Sequence, residues 1–178
     1  MRGSNDPLAT VITAFAAMSQ GKPSKAAMVM HAPELMPCPC GSFVKTKTKT
    51  KTKTKTKLSQ SVAQYATCCG RFIETGDSPP DAIFLMRSRY TAYVLEKVNY
   101  LLSTWHPDTR PKELQIDHDI KWLGLEIKSY SVSGANTSEV EFVARYRLAG
   151  KGHRLHERSR FECLNQTWYY TSGDFLGD

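Results

Sequence analysis

Four of the five cysteines in this 178-residue chain fall in two tight pairs, Cys38-Pro39-Cys40 and Cys68-Cys69. A soft divalent ion takes four thiolate or imidazole ligands at tetrahedral corners, and two close pairs supply them. Pro39 and Gly41-Ser42 are turn formers that bend the chain so that both thiols of the first pair face one ion. Cys38, Cys40, Cys68 and Cys69 are therefore the candidate metal ligands. Zn2+ is the expected ion, with iron a poorer match to a closed four-thiolate set. Neighbouring cysteines and C-x-C spacings make poor disulfides. Clustered thiols fit a reducing compartment, so the expected location is cytoplasmic. Cys163 stands alone in a strand-like segment and reads as a small buried apolar residue.

A strict Lys-Thr alternation separates the two pairs. Residues 45–57 hold seven lysines and six threonines. The tract repels itself and has no apolar face, so it reads as a disordered, solvated loop. It leaves 27 residues between Cys40 and Cys68. Lengthening a connection from about 8 to about 27 residues costs roughly 1 kcal/mol of closure entropy. A structural zinc site supplies about 10–16 kcal/mol, so the ligand set should survive the insertion. Formal net charge is +7, and the seven lysines of the tract account for all of it. Any contact with nucleic acid or an anionic surface is expected through Lys45–Lys57, as a basic arm. The plainer reading of the tract is a tolerated repeat expansion. No stretch reaches the roughly 20 apolar residues that cross a bilayer.

Residues 1–35 show little organisation and read as an unstructured extension, or as sequence upstream of a true start at Met36. The body is expected over 78–178. Ser78-Pro79-Pro80-Asp81 is a helix entry with Asp81 as cap. From Ala82 to Trp105 apolar residues recur at helical spacing, which predicts one long helix ended by His106-Pro107. A second, short helix is expected over Pro111–Ile120. The period then changes to two, giving strands over Trp122–Tyr130, Val140–Leu148, His153–Leu164 and Thr167–Thr171. One long helix followed by antiparallel strands is an α+β domain, the helix lying across the concave face of the sheet.

In the third of these strands Leu155, Glu157, Ser159, Phe161 and Cys163 share a face whose ends are apolar, so Glu157 and Ser159 point inward. A buried carboxylate needs a partner. Arg87 and Arg89 on the helix are the natural cations, and an ion pair fixing helix on sheet is the plain reading. The functional reading is a pocket formed by Arg87, Arg89, Tyr90, Trp105, His106, Glu157, Ser159 and Phe161, in which Glu157 accepts a hydrogen bond or a proton. No nucleophile–base pair is evident from spacing.

The blocks Met36-Pro-Cys-Pro-Cys-Gly-Ser42, Tyr65-x-x-Cys68-Cys69, Leu85-Met-Arg-Ser-Arg-Tyr90, Thr104-Trp-His-Pro107, Trp122-Leu-Gly-Leu125, Phe142-Val-Ala-Arg-Tyr146, Glu157-Arg-Ser-Arg-Phe161 and Trp168-Tyr-Tyr170 together resemble the YchJ family of small bacterial proteins. The resemblance runs from about Met36 to about Asp174. It implies a SEC-C zinc motif over 36–72, interrupted by the Lys-Thr tract, with Cys38, Cys40, Cys68 and Cys69 as its ligands. It also implies a nuclear transport factor 2-like cone over the body. The tract and residues 1–35 depart from the family pattern, and no second cysteine motif follows Trp168-Tyr-Tyr170. The resemblance implies no established activity.

Two functions follow as expectations. In the first, the zinc knuckle is a binding or adaptor module for a protein partner, by analogy with the zinc tail of the preprotein translocase ATPase. In the second, the cone interior around Glu157 binds a small molecule or performs catalysis. The closed four-cysteine cluster favours the first, since it leaves no position for water on the ion.

Overall fold

Asp81 starts the main helix as the sequence predicts. It is extended, and its carboxylate accepts a hydrogen bond from Phe84 N at 2.9 Å. That satisfies one of the amides a first turn leaves free. The computed structural model describes residues 36–48 and 57–177. Its elements are strands β1 (Phe43–Thr48) and β2 (Lys57–Val62), then helices α1 (Gly70–Ile73), α2 (Ala82–Val94) and α3 (Val98–Ser103). Strands β3 (Lys121–Val132), β4 (Thr137–Leu148), β5 (Lys151–Leu164) and β6 (Thr167–Phe175) follow.

The single helix expected from Ala82 to Trp105 is instead two. Glu96 takes a left-handed conformation, φ 56°, which no helix interior accommodates. Leu95 and Lys97 still bond back to the end of α2, through Thr91 O and Ala92 O. The apolar spacing runs on because both helices serve one core, so periodicity alone hid the corner. Arg89 spans it, donating to Leu101 O at 2.7 Å and Thr104 Oγ1 at 2.9 Å. The helix expected over Pro111–Ile120 is absent. Leu114 and Ile116 pack on the core at a spacing of two, and the Asp117 carboxylate bonds Asp119 N in a local turn that competes with helix.

The four long strands form an antiparallel sheet in the order β3-β4-β5-β6. Phe142 pairs with Glu157, Val140 with Ser159 and Ala144 with Leu155, and all six are fully buried. The inward face of β5 is thus the predicted one, except that Cys163 at its end is only half-buried. Tyr90 and Tyr93 of α2 meet Trp122 of β3 at 5.7 and 6.2 Å between ring centroids. Trp105 meets Tyr170 of β6 edge-on at 5.1 Å.

The Lys-Thr tract is not a loop throughout. Lys45–Thr48 pair with Lys57–Gln60 in a two-stranded ladder that continues from Phe43↔Val62. The reason is that the alternation has the period of a strand, threonine favours strands, and Phe43, Val44, Leu58 and Val62 flank it. The rest of the tract and the extension expected over 1–35 lie outside the described residues. Among the described residues no helix is long and apolar enough to cross a membrane.

Two outcomes test this account. Asp81→Ala should lower unfolding free energy by about 1 kcal/mol in urea titration, with an unchanged m-value. At the corner, Glu96 bonds His118 Nδ1 at 2.9 Å and this raises the imidazole pKa above its ordinary value. A raised pKa stabilises the fold at pH below the histidine's unfolded value, and the contribution is lost as pH rises through the folded one. NMR titration of His118 should therefore give a midpoint above that of Glu96→Gln.

Candidate metal centre

The cysteine segments extend the β1–β2 ladder. Cys38 N donates to Ala63 O, Ala63 N to Ser42 O and Tyr65 N to Met36 O, each at 2.7 Å. The first pair sits in a tight turn, closed by Gly41 N to Cys38 O at 3.0 Å with Gly41 at φ 68°. Glycine reaches that left-handed conformation without steric cost. The second pair sits in a turn gathered on Tyr65 O, which accepts from Cys68 N and Gly70 N. A Cβ at Gly70 would stand 2.7 Å from that carbonyl oxygen, so only glycine lets the chain enter α1 there.

These turns bring the sulfur atoms of Cys38, Cys40, Cys68 and Cys69 within 4.8 Å of one another. Cys40 and Cys68 are 3.7 Å apart, and Cys68 and Cys69 4.0 Å. Four thiolates about 2.3 Å from one tetrahedral ion would lie about 3.8 Å apart, so the spacing fits. All are free cysteines; Cys68 alone is half-buried and the others are buried. Their protonation is strongly linked. Hydrogen bonds from Cys38, then Cys68 and Cys69, hold Cys40 far below the ordinary thiol range. Those same bonds to Cys38 and Cys40 push Cys68 and Cys69 well above it. Close anions disfavour one another's ionisation, and a divalent ion held by the four sulfurs would offset that cost.

Helix α2 supports the cluster from behind. Thr91 Oγ1 lies 3.9 Å from Cys38 Sγ, and Arg87 Nη1 donates to Cys40 O at 3.3 Å. Ser42 Oγ lies 3.2 Å from Cys40 Sγ. Arg87 is therefore placed at the cysteine cluster and away from the cone interior to which the sequence assigned it. The other interior residues do assemble. Tyr90, Trp105, Glu157, Ser159 and Phe161 are fully buried, and Ser159 Oγ donates to Glu157 Oε1 at 2.6 Å. The Arg89 guanidinium lies over the rings of Trp105 and Tyr170 at 5.2 and 4.6 Å. His106 sits at the edge, its Nδ1 accepting from Asp108 N at 3.2 Å and its Nε2 3.7 Å from Glu162. These side chains fill the space between helix and sheet. Cavities of about 400 and 270 Å³ lie elsewhere, and none of these residues lines them.

Comparison with known proteins now adds to this geometry. Residues 81–173 match a family described as YchJ, middle NTF2-like domain. A UPF0225 protein of Polaromonas naphthalenivorans is 46% identical over 138 residues, covering 78% of this chain and 96% of the relative. The chain belongs to this YchJ family. A second UPF0225 protein, from Bordetella pertussis, is 52% identical over 117 residues, covering 62% of this chain and 85% of its own. Among solved structures, a SEC-C motif containing protein from Rhodopseudomonas palustris aligns with TM-score 0.58 at 31% identity, over 66% of this chain and 95% of that one. Another from Psychrobacter arcticus aligns with TM-score 0.61 at 21% identity, over 82% and 85%, and supports the fold alone. The YchJ chain described here thus has an NTF2-like α+β body, and its close cysteine cluster is compatible with a metal.

The support of the cluster by Thr91 and Arg87 was not legible in sequence, since no spacing rule links residues about fifty positions apart. Gly173 gives a test of the packed interior. A Cβ there would collide with the Glu157 carboxylate and stand 3.0 Å from the Tyr170 hydroxyl. Gly173→Ala should cost about 1–3 kcal/mol in thermal or urea unfolding while leaving metal content unchanged.

Proposed function

We propose that this YchJ-family chain is a metal-dependent binding module whose knuckle docks on a protein partner in the cytoplasm. Zn2+ would be held by Cys38, Cys40, Cys68 and Cys69. The observation that carries the reading is the set of four sulfur atoms within 4.8 Å of one another, three of them buried. A metal held by all four has no open position for water or substrate, so its contribution is shape and not chemistry. The solved SEC-C motif containing relative supports the same assignment of the segment. The ligands sit on β-turns tied to α2, so the ion would set the outline of one end of the molecule. The free thiols accord with a reducing compartment.

The Cys38→Ser/Cys68→Ser variant should lose the metal and the partner together, in affinity capture with metal analysis of both proteins. Capture that persists without metal would sink the reading. Chelation should lower Tm of the parent and leave that of the variant unmoved. Because thiolates must shed protons to bind, metal affinity should fall as pH falls.

A further inference from the structure

We propose that the outward face of the sheet, at the end where β4 turns into β5, binds single-stranded nucleic acid by its phosphates. The inference goes beyond the metal-dependent reading and uses none of the cysteines. Arg145 and Arg147 alternate with the buried Ala144 and Tyr146 on β4, and Arg154 precedes the buried Leu155 on β5, so all three face outward. Lys121 pairs with Arg147 and Arg145 with Arg154, so like charges stand directly opposite each other twice. All four residues are exposed. Like charges directly opposite destabilise a sheet, and an anion between them removes that cost.

Further along the same face the cations are answered by acids. Arg158 and His156 meet Glu141 at 3.2 and 2.8 Å, and Arg160 meets Glu139 at 3.4 Å and also Asp174. Glu126 takes Lys128 at 2.9 Å and Arg145 at 3.1 Å, so Arg145 alone of the four is paired. Lys121, Arg147 and Arg154 have no ion pair or side-chain hydrogen bond to any described residue. Asp117, just upstream of Lys121, accepts from Asp119 N, and neither of these acids is paired with Lys121. Lys151 and His153 belong to the other face of β5, where His153 stacks on Tyr146 at 5.1 Å.

The floor between these cations is bare backbone. Gly124 stands opposite Arg145 and Gly152 opposite Arg147. Neither glycine has a left-handed backbone, and a Cβ at either would meet nothing within 4 Å. The fold would accept a side chain at both, and glycine weakens a strand, so packing does not account for them. Bare strand backbone suits a ligand that approaches closely. Among the described residues β6 pairs with β5 only from Glu157 onward, so this end of the sheet is three strands wide and open at both edges. A polymer can cross it. A nucleic-acid strand carries one charge on the backbone of each nucleotide, so a chain on a flat floor brings successive phosphates to successive cations. Arg145 and Arg147 stand about 6.8 Å apart along one strand, and their guanidinium forks suit phosphate oxygens. An extended acidic peptide carries its carboxylates on side chains that alternate between faces, so half of them would point away. A bilayer calls for apolar anchors, and among the described residues Leu123 is the one exposed large apolar side chain at this end.

The test titrates the full chain into a fluorescent oligouridylate of about 15 nucleotides, by anisotropy, at about 50 and about 200 mM salt. The expected result is saturable binding that weakens about tenfold or more between the two salts. Arg147→Gln/Arg154→Gln should weaken binding about tenfold at the lower salt and flatten the salt dependence. Gly152→Thr should weaken it severalfold while Tm stays level or rises, because the new side chain occupies the floor and suits a strand. All three positions are exposed, so the variants should fold. No saturable binding, equal binding by the arginine variant, or tighter binding of a polyglutamate peptide or of phosphatidylserine vesicles would overturn the proposal. Binding that the arginine variant keeps, and that is lost when Lys45, Lys47 and Lys57 are replaced by serine, would assign the contact to the Lys-Thr tract and overturn it equally.

Discussion

The thiols of Cys38, Cys40 and Cys69 are withdrawn from water within 4.8 Å of one another and of the half-buried Cys68, and this electrostatic demand conditions the end of the molecule that carries them. Hydrogen bonds among the four groups hold the Cys40 thiol below its ordinary range and push that of Cys69 above it. A divalent cation would satisfy all four, and the backbone presents the sulfurs at a spacing compatible with one. Gly41 turns the first pair and Gly70 turns the second, each at a place where a larger residue meets strain or a carbonyl.

The knuckle is not a separate bead on the chain. Cys38, Cys40, Tyr65 and Cys69 belong to the same apolar cluster as Leu85, Met86 and Tyr90. A polar strap runs alongside: Tyr65 donates to Glu74 at 2.7 Å, and Lys97 holds Glu74 at 2.9 Å from the start of α3. Burial and the Glu74 carboxylate raise the Tyr65 pKa, so the phenol stays a donor. Order at the cysteines is thereby coupled to the corner between α2 and α3, where Arg89 braces both helices.

The interior of the cone is polar in its middle and aromatic at one end. Glu157 and Ser159 face Val140 and Phe142 across the strands, while Trp105, Phe161 and Tyr170 form an edge-on aromatic group beneath Arg89. Close packing of these groups, with Gly173 leaving room for the Glu157 carboxylate, gives the set a role in fixing helix on sheet. A cavity lies instead at the seam with the knuckle, beside the half-buried Tyr100 and Trp168.

The pairing of the four clustered cysteines, the α+β class, the Asp81 cap and the inward face of β5 were legible in sequence, because each follows from local spacing: paired cysteines, a period of 3.6 or two, a carboxylate before a helix. The break at Glu96 was not, since apolar spacing reports which faces are buried and not whether the backbone between them is continuous. The strand ends of the Lys-Thr tract were missed because charge repulsion outweighed its strand period in the reading, whereas pairing with Lys57–Gln60 supplies the missing partner. Arg87 went to the cysteines while Arg89 went to the corner because residues two apart on a helix project from nearly opposite faces. The sequence by itself thus determined which four cysteines are paired and the kinds of element. Only the tertiary structure decided which distant side chains surround the sulfurs, and that a cavity lies beside the knuckle while the residues around Glu157 are packed. Such contacts depend on how elements far apart in the chain pack together, and no local pattern records that.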